Sequence, residues 1–184
     1  MREDLVARAR GGDQEAFASL VTAHTDRCFA LAYRILRDSD RADDATQQAL
    51  VAAWDHLPSL RDPDRFDAWS YTLVVRAAYR EARRERVLRA AVRWVGLGDI
   101  VPNETPERLA DRDELEQAFE RLSPEHRAIL TLRYYADLPG REIAEVLGIP
   151  VGTVGSRLHH ATRRLREELQ HERQRPVAIG QVLP

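Results

Sequence analysis

Gly140-Arg-Glu-Ile-Ala-Glu-Val-Leu-Gly-Ile-Pro-Val-Gly-Thr-Val-Gly-Ser-Arg-Leu158 is the most informative stretch of this chain. Its spacing predicts two short helices crossing steeply through a tight turn, the helix-turn-helix arrangement. Each part of that crossing has a residue to serve it. Ala144 is small enough for the point where the helices touch, and Gly148 tolerates the left-handed backbone the turn requires. Ile143, Leu147, Ile149, Val154 and Leu158 fall where apolar side chains must pin the second helix to the first, and Pro150 precedes that second helix. A helical hairpin with no DNA role could share the spacing, but it has no need of a polar second helix free of acids, which is what runs from Val151 into Arg163-Arg164. In such motifs the N-terminal residues of the second helix enter the major groove and basic side chains grip phosphates.

Working outward, the whole chain reads as helix. Ser123-Pro124-Glu125-His126 places a capping Ser, a Pro at the first helical position and an acid in the first turn, opening a helix that carries Ile129, Leu130, Leu132 and Tyr135. Leu109, Leu115, Phe119 and Leu122 continue the helical period upstream. Between 95 and 106 the pattern breaks at Gly96, Gly98, Pro102, Asn103, Thr105 and Pro106. In the N-terminal half, Asp13 is expected to cap a helix bearing Phe17, Leu20, Val21, Phe29, Leu31, Ala32, Ile35 and Leu36. After Asp38-Ser39-Asp40 a second helix carries Ala45, Ala49, Leu50, Ala53 and Trp54. The Leu57–Asp64 stretch, with two prolines, reads as a structured loop, and Asp67 is expected to cap a third helix from Ala68 to about Ala91. The expected fold is all-α: two small helical domains, 1–94 and 111–172, joined by a flexible linker at 95–110, the second domain holding the helix-turn-helix, with a tail at 173–184.

The 184 residues include 28 basic and 30 acidic side chains, a net charge of −2. Taken as a total, that argues against a nucleic-acid partner; taken by segment, it argues for one. Residues 38–67 hold eight acids and three arginines, and 76–93 hold seven arginines and two acids; 99–125 hold nine acids and three arginines, and 151–166 hold four arginines and no acid. Each half therefore carries one basic helix, the electrostatic footprint of nucleic-acid binding, where a single run would pass for a solvated helix face. Every basic residue is Arg, the forked donor suited to phosphates and base edges, although GC-rich codon usage has the same outcome. The one cysteine, Cys28, excludes an intrachain disulfide framework. No stretch approaches the roughly 20 apolar residues of a membrane span, and the N-terminus lacks a secretory apolar core, so the chain is expected to work in the cytoplasm without membrane insertion.

These residues resemble a known family. Leu122-Ser-Pro-Glu-His-Arg-Ala-Ile-Leu130, Leu132-Arg-Tyr-Tyr135, the helix-turn-helix and Arg163-Arg164-Leu-Arg166 are similar to the last DNA-binding domain of bacterial RNA polymerase sigma factors. Asp43-Asp44-Ala-Thr-Gln47-Gln48 followed by Trp54 resembles the segment by which sigma factors dock on polymerase. Phe66-Asp-Ala-Trp69, leading into an Arg-rich helix, resembles the promoter-melting segment. Two such domains in a chain of this length, without a third between them, resemble the minimal extracytoplasmic-function (ECF) group. The resemblance spans roughly residues 10–170. It implies an alternative sigma factor that binds core RNA polymerase at its clamp helices and flap, and that recognises double- and single-stranded promoter DNA at the -10 and -35 elements. It also implies an anti-sigma protein as a further partner, and no cofactor, metal or catalytic residue.

Carried onto this sequence, the resemblance assigns polymerase docking to Asp43, Asp44, Gln47, Gln48 and Leu50, with Leu50 and Trp54 partly or wholly structural. The -10 element and its melting fall to Arg65, Trp69, Arg76, Tyr79, Arg80, Arg83 and Arg84. Trp69 suits either stacking on an unpaired base, worth about 1–3 kcal/mol, or anchoring its helix in the core. Some of the arginines would anchor phosphates rather than read bases. The Pro58–Arg65 loop is where the family captures a flipped base. The -35 element falls to Thr153, Ser156, Arg157, His159 and His160, with Arg163 and Arg164 on the backbone. Arg to guanine is the commonest specific contact, which singles out Arg157. The chain departs from the family at Gly155, where Lys or Arg is typical, at His159 and His160, where an aromatic or basic pair is common, and at Arg76 and Arg80, where Asn and an acid are frequent. These positions bear on which promoter bases are read.

Two other functions compete. A stand-alone helix-turn-helix regulator would not need the Asp44 segment. An enzyme would need a phosphate loop, metal cluster or nucleophile motif, and none is visible. His24 and Cys28 lie four apart and could present two metal ligands, against the plainer reading of a surface His and a buried Cys; a structural zinc needs four ligands. The end of the chain, Gln170 to Pro184, is too short for a domain.

Overall fold

The computed structural model describes residues 2–94 and 114–174. Its helices are α1 (Arg2–Arg10), α2 (Gln14–Leu36), α3 (Ser39–His56), α4 (Phe66–Trp94), α5 (Glu114–Glu120), α6 (Pro124–Tyr134), α7 (Gly140–Leu147) and α8 (Val151–Gln174), with two 3-10 turns, Leu57–Ser59 and Pro63–Arg65, between α3 and α4. Among the described residues there is no strand, and no helix is long and apolar enough to cross a membrane. The linker expected at 95–110 and most of the expected tail lie outside the described residues.

The helix starts follow from capping chemistry. Asp13 accepts from the Ala16 amide at 3.0 Å and is gripped from α1 by Arg8 at 2.7 Å, so α1 and α2 share one cap. Asp38 accepts from the Arg41 amide at 2.9 Å and from its guanidinium at 3.1 Å. Burial alone would raise the Asp38 pKa; the bonds from Arg41 outweigh it and hold the carboxyl below its usual range. A carboxylate with a lowered folded pKa adds stability that is complete above its unfolded pKa, near 4, and is lost as pH falls through the folded value. Asp38→Ala should cost about 1 kcal/mol, read as a lower melting temperature at pH 7 and a smaller loss of stability than the parent chain shows on acidification below pH 4.

Two expectations at this end need correction. The sequence reading passed over α1, whose arginines leave only Val6 and Ala9 to bury. The third helix starts at Phe66, and Asp67 sits in its first turn rather than capping it, because the 3-10 turn capped by Asp62 feeds directly into the helix.

α2, α3 and α4 pack on one another around Leu31, Ile35, Val74 and Val75, all fully buried. A smaller cluster of Val6, Ala9, Ala16, Leu20, Leu57, Leu60 and Phe66 closes the α1 end. α6, α7 and α8 bury Ile129, Leu132, Ile143, Val154 and Ala161. These two sets are not separate: α2 packs on α6 and α4 on α7, and their buried side chains form one continuous core. The halves are thus docked on each other.

The helix-turn-helix forms as its residues dictate. Gly148 ends α7 at φ 64°, its amide bonding back to Glu145 at 3.2 Å, and Ala144 is buried at the crossing. Gly155 needs no such freedom. It lies exposed in α8 with open space where a Cβ would stand. Gly155→Ala should therefore stabilise the fold by about 1 kcal/mol, a rise of roughly 2–4 °C in melting temperature for a chain of this size.

Candidate nucleic-acid interface

Three surfaces carry the residues singled out by sequence. On α3, Asp43, Asp44 and Gln47 are exposed side by side while Ala42, Ala45, Thr46 and Ala49 turn into the core. Gln48 is half-buried, and its amide donates to Glu81 Oε1 at 2.8 Å, tying α3 to α4. Leu50 is half-buried and lines a small apolar crevice with Phe17, Val21, Cys28 and Val74. Farther along the same helix Val51 is exposed, and Trp54 is 39% exposed with its ring edge-on to Phe17 at 4.9 Å. Trp54 is therefore both packed and available, where the sequence offered core or contact as alternatives.

α4 carries the second surface. Arg76, Arg80, Arg83 and Arg84 are exposed along one side. Arg84 reaches Glu81 at 3.2 Å, and Arg80 comes within 3.5 Å of Gln48. Glu81 itself is buried, so a single carboxylate organises the basic helix and the α3 face together. Sequence reading missed it; its signal was that it is one of only two acids, with Glu85, in a run of seven arginines. Tyr79 differs from its neighbours. It is half-buried, and burial pushes its phenol up, with Glu125 adding and Arg157 opposing. Arg65 is exposed and ion-paired with Glu145 of α7. Trp69 is half-buried against Phe66, 5.9 Å between rings, so an anchoring contact and an accessible edge coexist.

Behind this surface lies a polar knot that sequence did not reveal. His24 is buried rather than on the surface, because its Nε2 pairs with Ser70 Oγ at 2.7 Å while its Nδ1 stands 3.6 Å from Asp67 Oδ1. The Ser70 hydroxyl also reaches the Asp67 carbonyl at 2.8 Å. The imidazole is committed to joining α2 to α4. Cys28 is buried too, and burial pushes its thiol up to about 12. A neutral, enclosed thiol and an occupied imidazole do not make the metal-ligand pair that their four-residue spacing allowed.

The third surface is the N-terminal half of α8. Ser156, Arg157, His159, His160, Arg163 and Arg164 are exposed, Thr153 is half-buried, and Val154, Leu158 and Ala161 face α6 and α7. No acid occurs from Val151 to Arg166, and the first beyond, Glu167 and Glu168, bond Arg164 at 2.7 and 2.8 Å. Arg163 bonds His160 Nδ1 at 3.3 Å. Arg157 makes no ion pair among the described residues, so its guanidinium keeps its donors for a ligand. An exposed, positively charged helix with small polar side chains at its start is shaped for a groove of nucleic acid.

Comparison with known proteins identifies the family. Residues 20–87 match Sigma-70 region 2, and residues 112–165 match Sigma-70, region 4. The chain is 33% identical over 169 residues to the ECF RNA polymerase sigma factor SigL of Mycobacterium tuberculosis, covering 90% of this chain and 95% of that one. It is 32% identical over 180 residues to the RNA polymerase sigma-H factor of Pseudomonas aeruginosa, covering 91% and 93%. Among solved structures, CnrH in complex with the cytosolic domain of CnrY is similar at a TM-score of 0.66 and 27% identity, over 92% of this chain and 97% of that one. The chain belongs to the sigma-70 family of RNA polymerase sigma factors, in its extracytoplasmic-function group. It is an alternative sigma factor directing transcription from promoters, and the match of its N-terminal half to region 2 removes the case for a stand-alone helix-turn-helix regulator.

Proposed function

We propose that the chain binds core RNA polymerase through the exposed α3 face at Asp43, Asp44 and Gln47, reads and opens the -10 element with α4, and reads the -35 element with the start of α8. Gln48 and Leu50 support the docking face from beneath. Arg76, Arg80, Arg83 and Arg84 present donors to the -10 region, and Trp69 offers a ring edge to an unstacked base. In α8, Thr153, Ser156, Arg157, His159 and His160 face base edges, while Arg163 and Arg164 hold phosphates. The domains serving these tasks are 1–94 and 111–172. The chain performs no chemistry of its own and works in the cytoplasm, where polymerase is. An anti-sigma protein is a fitting further partner, because the sigma factor RpoE from Bartonella quintana, whose fold this chain shares, was solved in complex with the anti-sigma factor NepR.

The observation that carries this reading is the pairing of an unobstructed acidic and amide face on α3 with two exposed arginine-rich helices, one in each half. Neither DNA surface needs to bind tightly alone, since two modest contacts held on one polymerase gain by effective concentration. The test is run-off transcription from fragmented genomic DNA with core polymerase, with and without this chain, followed by mapping of start sites. Discrete starts that need the chain and share two upstream elements support the reading. Starts that are the same without it refute the reading.

A further inference from the structure

Residues 76–93 hold seven arginines and two acids, Glu81 and Glu85. A helix that needed only positive charge would have no use for either acid, and both are engaged in the same way. Glu81 is buried. Its Oε1 accepts from the Gln48 amide of α3 at 2.8 Å and from Arg84 Nη1, one turn along α4, at 3.2 Å. Glu85, one turn farther on, pairs with Arg41 of α3 and with Arg89 of α4. Each acid therefore bonds one residue of the helix that carries the docking face and one arginine of the basic helix. Arg80 approaches the first bridge as well, its Nη2 3.5 Å from Gln48 Oε1. Arg76 and Arg83, on the same helix, make no ion pair among the described residues.

An exposed arginine beside nucleic acid has two kinds of partner. Phosphates draw it whatever the sequence, and each such contact steepens the salt dependence of binding. Base edges draw it only where its donors point in matching directions. A carboxylate one turn away competes with the phosphates, because both accept from the same guanidinium. It also fixes where that guanidinium points, which is what a base edge requires. Arg84 is open to such a choice: its side chain is 75% exposed, while that of Glu81 is 7% exposed. Glu81 cannot swing away with the arginine, since Gln48 holds it and a buried carboxylate that lost its partners would be left uncompensated. The anchor lies on α3, beside the exposed Asp43, Asp44 and Gln47. The restrained arginines are thereby placed relative to polymerase as well as to DNA.

We propose that Glu81 and Glu85 are positioning residues for -10 recognition: anchored on α3 through Gln48 and Arg41, they hold Arg84 and Arg89 off the phosphate backbone and turn a non-specific attraction into sequence discrimination. The proposal rests on the assignment of α4 to the -10 element. Its consequence runs against simple charge counting, because removing an acid should tighten DNA binding and make it less selective.

The test uses the holoenzyme, the full chain on core polymerase. Its DNA is a promoter duplex taken from the mapped start sites and the same duplex with the -10 element scrambled. Affinity for each is measured over a range of salt. Glu81→Gln keeps the shape and the bond to Gln48 and removes the charge that holds Arg84. It should bind the scrambled duplex more tightly and steepen the fall of log affinity with log salt by about 0.9, the value of one phosphate contact. Discrimination between the two duplexes should drop by roughly fivefold. Capture of polymerase should be unaltered, since the exposed residues of α3 are untouched. Glu81→Gln with Arg84→Gln should return the slope to that of the parent, which identifies Arg84 as the added contact. Glu81→Gln with Gln48→Glu moves the carboxylate across the bond to α3 and should recover most of the discrimination. Asp26→Asn removes an acid from the exposed side of α2 and should change neither quantity. If circular dichroism shows Glu81→Gln to be unfolded, Glu85→Gln is read instead, through Arg89 and with the same sign. Folded variants with the parent slope and discrimination overturn the proposal, and so does an Asp26→Asn effect equal to that of Glu81→Gln. A lower melting temperature and weaker capture with the slope unchanged would make both acids structural only, which also overturns it. Run-off transcription separates the two levels: discrete starts from the parent with unchanged slopes in the variants leave the sigma-factor reading standing, whereas a parent chain that directs no transcript removes the assignment of α4 on which the proposal depends.

Discussion

Asp44→Arg should leave a well-folded chain that no longer engages core polymerase. Asp44 is exposed on α3, beside Asp43 and Gln47, and its neighbours Ala45 and Thr46 carry the packing. Surface substitutions of this kind usually change stability by no more than about 0.5 kcal/mol, so melting should move by only a degree or two. A reversed charge at a contact built for an acid costs several kcal/mol, which is roughly a hundredfold or more in affinity. Capture of polymerase on immobilised chain and single-round run-off should fall together, with promoter affinity of the free chain unaltered. Capture at the parent level would remove α3 from the docking surface and leave the rest of the assignment intact.

Arg157→Ala should cost about 1–3 kcal/mol of promoter discrimination, or roughly 10–100-fold, concentrated at a single base pair of the -35 element. The side chain is exposed, so its loss should leave the fold unchanged. Arg157→Lys should not rescue it, since an ammonium cannot make two parallel bonds to one base edge. The contrast is Arg163→Ala, which should weaken binding to all sequences alike and flatten its salt dependence. A panel of promoters with each -35 position substituted tells these apart. A loss spread evenly over the panel for Arg157→Ala would reassign it to the phosphate backbone.

What the sequence made legible was local. The Ser123 cap, the Pro at the start of α6, the Gly148 turn and the Ala144 crossing are each decided within a few residues, and all of them form as read. The arginine helices were visible because charge needs no partner to be counted. What stayed hidden was pairing over distance. Nothing in the period of α2 says that Arg37 will meet Glu116, 79 positions later, or that Arg65 will meet Glu145. Gln48 shows the same limit. It sits in a polar motif and reads as surface, yet Glu81, 33 positions away, draws it half inside. His24 reads as solvent-facing until Ser70 is brought to it by the packing of α4. α1 was hidden for another reason: two buried apolar side chains are too few to set a period, and its place depends on Arg8 gripping the Asp13 cap.

Cys28 has a consequence beyond packing. Peroxides and electrophiles attack the thiolate, and a thiol held protonated up to about pH 12 inside a closed core offers almost none. It is the chain's one sulfhydryl. Cys28 is therefore a poor target for thiol oxidation. In the laboratory the same property means that a reporter cysteine placed on the surface will be labelled selectively with Cys28 left in place.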